Sequence, residues 1–135
     1  MARKKSTFKD KWGEAIASGG HTSIPNDLLE LRTTLKISEV QFLLIVCVLK
    51  FKWYSDNPYP SADTLSKLSG LAISTVRHNL QNLEERGLIK RVPRINSKTK
   101  AQESNEYDFA PMVKILESYT QHLRRRKGRY PAPDN

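Results

Sequence analysis

The feature that most constrains the fold of this chain is an unbroken apolar run of eight residues, Phe42 to Leu49. Ser38, followed three residues later by Gln41, is the capping-box pattern that starts a helix just ahead of an apolar run. A helix that is apolar on every side must be buried on several sides. The run therefore predicts a central core helix that begins at Glu39 and continues to about Tyr54.

A buried strand is the alternative interpretation of this run, because three of its residues are β-branched. Polar residues on both sides of the run favour the helix; they are Glu39, Gln41, Lys50 and Lys52. The run is too short for a membrane span, which needs about twenty residues. No apolar segment follows the basic N-terminus as it would in an export signal. We expect a soluble protein that is not exported.

The size of the chain and its single cysteine limit how the fold is held together. At 135 residues the chain has the length of one ordinary domain. Cys47 alone excludes a disulfide within the chain and a zinc site built from several cysteines. It lies inside the apolar run, where an inert core thiol is expected. The hydrophobic core must hold the fold by itself, which suits the reducing cytoplasm.

Two short helices with a glycine between them follow the core helix. Ser61 is a cap for a helix over 62–69, with Leu65 and Leu68 facing one way, and Gly70 ends it. A second, amphipathic helix is predicted from Ile73 to Arg86, followed by a glycine, with inward positions Val76, Leu80 and Leu83. Two helices joined in this way are the pattern of a helix-turn-helix.

A small β-hairpin is predicted after these helices. Residues 88–92 and 105–109 have strand composition, and the polar segment 95–104 between them is predicted to be a loop. Pro93 fits only an edge strand, as expected for a two-stranded wing. The predicted fold class is mainly α with a small β-hairpin wing, a winged helix-turn-helix over residues 24–110.

The residues before this domain are predicted to form a basic arm over residues 1–23. Phe8, Trp12 and Ile16 have the spacing of one helical face, and Ser6 or Thr7 would cap the helix. Gly13 weakens this helix and the segment 18–20 ends it. The arm is expected to dock on this domain or on another subunit. A further helix opens at Ile24-Pro25-Asn26, with its apolar side formed by Leu28, Leu29, Leu31 and Leu35.

The last predicted helix, over residues 111–123, begins at Pro111. Its apolar stripe consists of Met112, Leu116, Tyr119 and Leu123. Because a single wing is too small to cover this stripe, we expect it to pack on a partner helix in a homodimer or higher oligomer. Residues 124–135 are predicted to be a flexible basic tail.

The net charge of +9 is concentrated in three basic patches. They are the two ends of the chain, at residues 1–11 and 124–129, and the segment 90–100, which carries five cations and no acid. Basic ends are common on solvated tails. An internal basic segment is less common and points to a polyanion as the partner.

The sequence gives no indication of an enzyme. None of its six glycines stands in a phosphate-binding loop pattern. The three histidines, His21, His78 and His122, are far apart, and the carboxylates do not cluster. We expect no catalysis, no cofactor and no metal.

Duplex DNA is the partner that the helix-turn-helix and the basic segment predict together. With the apolar positions of the second helix turned inward, its outward residues are Ser74, Thr75, Arg77, His78 and Gln81. Arg77 is the sharpest candidate, since a guanidinium can bind guanine or a phosphate. A surface contact with a neighbouring turn of the helix is the alternative for Arg77. On the wing, the predicted DNA-binding residues are Lys90, Arg91, Arg94, Lys98 and Lys100.

Four segments, 59–70, 74–77, 83–89 and 105–109, resemble the winged helix-turn-helix of bacterial DNA-binding proteins. Upstream, Ile24-Pro-Asn-Asp-Leu-Leu29 and Ser38-Glu-Val-Gln-Phe-Leu43 resemble the N-terminal domain of DnaD-type and phage or plasmid replication-initiation proteins. This resemblance implies duplex DNA binding or subunit association in replication initiation, with other replication proteins as partners. A transcriptional regulator on the same fold and a protein-interaction module are the alternatives.

The chain departs from the winged-helix pattern at the start of the second helix. Ala72 stands where a Ser or Thr cap is usual, and Ile73 stands where a basic residue is common. We therefore expect salt-sensitive, largely non-specific binding to duplex DNA, dominated by phosphate contacts from the wing and both tails.

Overall fold

The structure is a computed structural model that describes residues 5–52 and 56–125, with only the helical backbone described for 121–125. Seven helices and one two-stranded sheet lie in these residues. In chain order they are α1 Phe8–Trp12, α2 Glu14–Ala17, α3 Asn26–Leu31, α4 Glu39–Leu49, α5 Ala62–Ser69, α6 Ile73–Glu85, β1 Lys90–Ile95, β2 Gln102–Asp108 and α7 Ala110–Arg125. The expected fold class, mainly α with a small β-hairpin, is confirmed.

Helix α4 is the centre of the core. Its capping box is formed: Ser38 Oγ accepts from the Gln41 backbone N at 3.1 Å, and Gln41 Oε1 accepts from the Ser38 N at 3.2 Å. Leu44 and Ile45 are at most 1% exposed, and α4 packs against both α5 and α6. The strand interpretation is therefore wrong. The helix is also shorter than predicted, because it ends at Leu49 and a turn follows at Lys50.

A buried polar contact fixes α6 against α4. Gln41 is 6% exposed, and its Nε2 donates to Asn82 Oδ1 at 2.8 Å. Arg86, at the end of α6, donates to Gln41 Oε1 at 3.3 Å and to the Lys36 carbonyl at 3.1 Å. It also donates to the carbonyl of Leu35. Because these groups are satisfied only in one relative orientation of the two helices, they set the direction of α6.

The helix-turn-helix forms from local signals. Ser61 Oγ accepts from the Thr64 N at 3.1 Å and so caps α5. Gly70 has a φ of +78°, a left-handed conformation that favours glycine, and it turns the chain into α6. Leu65 is buried as expected, but Leu68 is 44% exposed, so the two do not face the same way. In α3, likewise, Leu28 and Leu31 are buried while Leu29 is 54% exposed.

The hairpin is longer than predicted at its tip and shorter at its base. Leu88 and Ile89, which were expected to begin the first strand, are core residues 3% exposed, and β1 starts after them. The strands pair antiparallel up to Ile95 and Gln102, which reduces the predicted loop 95–104 to a short turn. The pairing register shifts between residues 92 and 94, so Pro93 lies at an irregularity of a strand that pairs on one side only.

The arm forms two short helices instead of one. Thr7 caps α1, since its Oγ1 accepts from the Asp10 N at 3.0 Å. Gly13, with a φ of +86°, separates α1 from α2. The Phe8 ring stacks on Trp12 and on His21, with centroid distances of 6.0 and 4.4 Å. The helices α1 and α2 pack chiefly on each other.

The apolar stripe of helix α7 was predicted to pack on a partner helix, and for two of its residues this prediction is wrong. Met112 and Leu116 are 3% and 8% exposed and belong to this chain's own core, where α7 packs against α3. They are therefore not available to a partner helix. Tyr119 is half-buried against the same core, and the Leu123 side chain lies outside the described residues.

The ends of α7 also differ from the prediction. The helix begins at Ala110, and residues 124 and 125 continue it instead of starting a tail. The rest of the predicted tail, 126–135, lies outside the described residues, as do Arg3 and Lys4 of the arm. Across the described residues, no helix is both long and apolar enough to span a membrane.

Candidate nucleic-acid interface

Buried side chains determine which face of α6 points outward. Val76, Leu80 and Leu83 are at most 2% exposed and pack into the core. Thr75 is half-buried, and its carbonyl accepts from Asn79 Nδ2 at 2.8 Å. The other predicted DNA-binding residues of this helix are exposed on its outward side: Ser74, Arg77, His78 and Gln81.

Arg77 is an available cation on this outward face. Within the described part of the chain its guanidinium has neither a hydrogen-bond nor an ion-pair partner. The alternative interpretation, a contact with a neighbouring turn of the helix, is therefore absent from the described residues. One turn further along, Gln81 Nε2 donates to Glu85 Oε1 at 3.0 Å. All N–H donors of the Arg77 guanidinium are therefore available to bind a ligand.

The first turn of α6 has free backbone donors. Ala72 has an extended backbone conformation and provides no side-chain cap, and the first turn carries no acid. The leading N–H groups of a helix have no partner within the helix and carry its partial positive charge. The missing cap thus leaves a group of donors suited to a phosphate oxygen.

A groove between α6 and the wing brings several predicted residues together. Its volume is about 410 Å³, and its lining includes Arg77 and Gln81 from α6 and Ser104 and Asn105 from β2. Arg91 also lines it. Ser74, His78, Lys98 and Lys100 lie outside this groove.

Arg91 anchors the wing to α6. Its Nη2 and Nε donate to Glu84 Oε1 at 2.9 and 3.2 Å, and its backbone N donates to Glu84 Oε2 at 3.1 Å. These hydrogen bonds hold the pKa of the Glu84 carboxyl below its ordinary value. Arg91 was predicted to bind DNA, but the structure gives it a structural partner.

Arg94 is also engaged inside the protein. Its Nη2 lies 3.1 Å from Glu103 Oε2 on the opposite strand. Its guanidinium also lies 4.0 Å from the centroid of the Tyr59 ring. Like Arg91, Arg94 has much of its charge balanced by a carboxylate.

The cations of the wing that stay unpaired are lysines. Within the described residues, Lys90, Lys98 and Lys100 are exposed and form no ion pair. Asn96 orders the tip, because its Oδ1 accepts from the backbone N of Lys98 at 2.9 Å and of Thr99 at 3.0 Å. Lys98 and Lys100 are therefore held on a defined turn.

Sequence reasoning missed the three residues that fix the two wing arginines: Glu84, Glu103 and Tyr59. Glu103 was placed in a loop, so its pairing with Arg94 could not be deduced. The alternation of side chains on paired strands would have indicated it once the strands were extended to the tip. In residues 5–52 and 56–125, no group of His, Cys, Asp and Glu has the arrangement of a metal site.

Comparison with known protein families gives a match to the middle part of the chain. A family model described as a helix-turn-helix domain matches residues 35–89, from just before α4 to just before the wing. The match covers less than half of the chain, and over that part the chain is similar to a helix-turn-helix domain. With the hairpin β1–β2 beside α6, its fold is a winged helix-turn-helix, as predicted. No curated protein matches the chain.

Solved structures similar to this chain include a possible transcriptional regulator from Methanosarcina mazei Go1. It is 17% identical with a TM-score of 0.44, and the match covers 76% of this chain and 86% of that one. A mutant of S. aureus MepR is 16% identical with a TM-score of 0.45, and the match covers 76% of this chain and 69% of that one. The structure of the S. aureus MepR–DNA complex is 16% identical with a TM-score of 0.45, and the match covers 76% of this chain and 77% of that one.

The narrower resemblance to DnaD-type replication proteins is not confirmed. The matching family is the helix-turn-helix domain in general. Its match begins after the segment Ile24–Leu29, on which the narrower resemblance partly rests.

Proposed function

We propose that this chain is a DNA-binding transcriptional regulator that places α6 in the major groove of duplex DNA. The observation that carries the proposal is Arg77, an exposed and unpaired cation on the outward face of α6 in the described part of the chain. An α-helix fits the major groove, and an Arg there can bind guanine O6 and N7 with two hydrogen bonds. Gln81, on the same face, is suited to adenine.

Phosphate contacts complete this interface. The uncapped start of α6 offers backbone N–H groups to one phosphate. Lys98 and Lys100 at the wing tip supply charge to the neighbouring backbone. Base contacts from α6 would give sequence preference, while these phosphate contacts would give affinity and orientation.

We place regulation of transcription ahead of replication initiation. A regulator that acts by occupying a DNA site requires only site-specific duplex binding, which α6 and the wing can provide. A replication role would require, in addition, a surface for other replication proteins. The family match, which is to helix-turn-helix domains in general, supports the DNA-binding role common to both.

The test compares one variant on two DNAs. A preferred site is first selected from random duplex with the full chain, and affinities for that site and for a scrambled site are measured at one salt concentration. Arg77→Ala should cost about 1–3 kcal/mol on the selected site and much less on the scrambled one. Lys114→Ala removes an exposed cation from α7 and is the matched control, with little effect on either DNA.

Two results would change the proposal. Equal losses on both sites would mean that Arg77 holds a phosphate and reads no base. No loss on either site would mean that α6 does not enter the groove.

A second candidate function, protein–protein interaction, is favoured by the arm. Trp12 and Ile16 are 61% and 58% exposed, and exposed apolar side chains of this size are typical of protein–protein contact surfaces. We propose that a homodimer, if it forms, uses this arm instead of the buried stripe of α7. Trp12→Ser with Ile16→Ser should then give a monomer by light scattering, and a dimer that survives both changes would exclude the arm.

A further inference from the structure

A second concave surface lies apart from the residues assigned to DNA binding. It is a cavity of about 730 Å³ bordered by the segment 19–25, by Leu28 of α3, by the end of α4 and by the first turns of α7. Buried side chains of Leu28, Met112 and Leu116 contribute to its lining, and Val113, 49% exposed, lies at its edge. The volume is within the range of about 300–1,000 Å³ that small-molecule sites occupy.

The charged residues that line this cavity are both cations. Lys50 and Lys52 line it, and both side chains are exposed. The Lys50 ammonium lies 4.7 Å from the centroid of the Phe51 ring. Within the described residues no Asp or Glu lines the cavity, and neither lysine forms an ion pair. The cavity thus combines an apolar wall with two cations that have no carboxylate partner there.

We propose that this cavity binds a small organic anion that has an apolar ring body and a carboxylate. The ring would lie on the more accessible apolar residues of the lining, Leu49, Phe109 and Val113, where contact removes apolar surface from water. The carboxylate would lie near Lys50 and Lys52, with the hydroxyls of Thr22 and Ser23 also on the lining. A neutral ligand would leave the two ammonium groups unmatched, and a cation would be repelled by them.

The size and the charge favour a small anion over a helix from another protein. A docked helix spreads its anchors over several turns along an extended groove. Here the wall comes from four short parts of the chain, of which 19–25 is not helical, and the two lysines follow α4 two positions apart. This arrangement matches one compact ligand with one charged end.

The first experiment varies only the charge of the ligand. The full chain, labelled with ¹⁵N, is titrated with three probes that share one ring system: 2-naphthoate, 2-naphthalenemethanol and 2-naphthylmethylamine. Naphthoate should give saturable shifts at residues of the cavity, with a Kd below about 1 mM. It should bind about tenfold more tightly than the amine, because the two differ in their interaction with the lysines.

The second experiment varies the site. Lys50→Gln with Lys52→Gln should weaken naphthoate severalfold and leave the neutral alcohol unchanged. Val113→Trp should fill the cavity and abolish binding of all three probes. Lys114→Trp, at the next position of α7 and outside the lining, is its matched control and should bind like the original chain. Circular dichroism verifies that each variant is folded.

Three outcomes would overturn the proposal. The first is equal affinity for the three probes, which would leave only a nonspecific apolar patch. The second is the lack of saturable shifts at the cavity at concentrations several times about 1 mM. The third is a dimer by light scattering that Val113→Trp converts to a monomer, since a second copy would then cover the cavity.

Discussion

Removing the two lysines of the wing tip should flatten the salt dependence of DNA binding, because they are exposed and unpaired within the described residues. The variant is Lys98→Gln with Lys100→Gln. Each phosphate that a cation neutralises contributes about −0.9 to the slope of log K against log salt. If both lysines contact the backbone, the slope should change by about 1.8.

The structure also provides a control that leaves the net charge unchanged. Arg94 and Glu103 form a pair with a 3.1 Å contact, so Arg94→Gln with Glu103→Gln removes one charge of each sign. This variant should keep the original slope. Its affinity should fall only as far as loss of the pair loosens the wing.

The assay is fluorescence anisotropy of a labelled duplex of mixed sequence, from about 50 to 200 mM KCl. Over this fourfold range the lysine variant should lose about tenfold less affinity than the original chain. Two results would refute the reasoning. An unchanged slope for the lysine variant would remove the wing tip from the interface. A slope that flattens equally in the Arg94 and Glu103 variant would mean that Arg94 leaves its partner to contact DNA.

The remaining predictions concern stability. Leu116→Ala should lower the free energy of unfolding in urea by about 2–5 kcal/mol, whereas Val113→Ala, at a half-exposed position, should lower it by about 0.5 kcal/mol or less. Similar small losses for both variants would mean that Leu116 is not a core residue and is covered by a partner instead. Glu84→Gln should destabilise the chain most above about pH 5, where the carboxylate of the original chain is charged in both the folded and the unfolded state. The difference in stability between variant and original chain should vanish as the pH falls through the lowered pKa of Glu84. A difference that grows on acidification would contradict the contact with Arg91. Gly70→Ala should cost about 1 kcal/mol from its positive φ alone, since no atom lies within 4 Å of the added methyl group, and a neutral result would mean that the turn relaxes.

The parts of the fold that the sequence predicts well are those set by local chemistry. Ser38 and Ser61 each accept a hydrogen bond from a backbone N three residues ahead, so the starts of α4 and α5 can be identified without knowledge of the rest of the chain. Gly70 and Gly87 adopt the positive φ values that end helices. The inward residues of α6 follow from the helical repeat alone.

The parts that the sequence predicts poorly depend on what packs against them. An apolar stripe has the same pattern whether its own domain or a partner covers it, and the placement of α3 beside α7 decides that Met112 and Leu116 are core residues. The end of α4 was misplaced for a similar reason, because the residues after Leu49 keep good helical composition while the chain turns.

The same dependence on distant partners changes how the charge of the wing contributes to binding. The segment 90–100 carries five cations and no acid, but two carboxylates from outside it, on α6 and on β2, pair with Arg91 and Arg94. A count along the chain therefore overestimates the charge that the wing can give to phosphates. The unpaired charge is concentrated instead on lysines and on Arg77, which stands on a helix held by the buried Gln41 contact. Because a lysine is a point charge without the planar fork of an arginine, the wing can supply affinity but little base preference. Sequence preference must then come from α6, and the comparison of Arg77→Ala on selected and scrambled DNA is the measurement that decides between a site-specific regulator and a general DNA-binding protein.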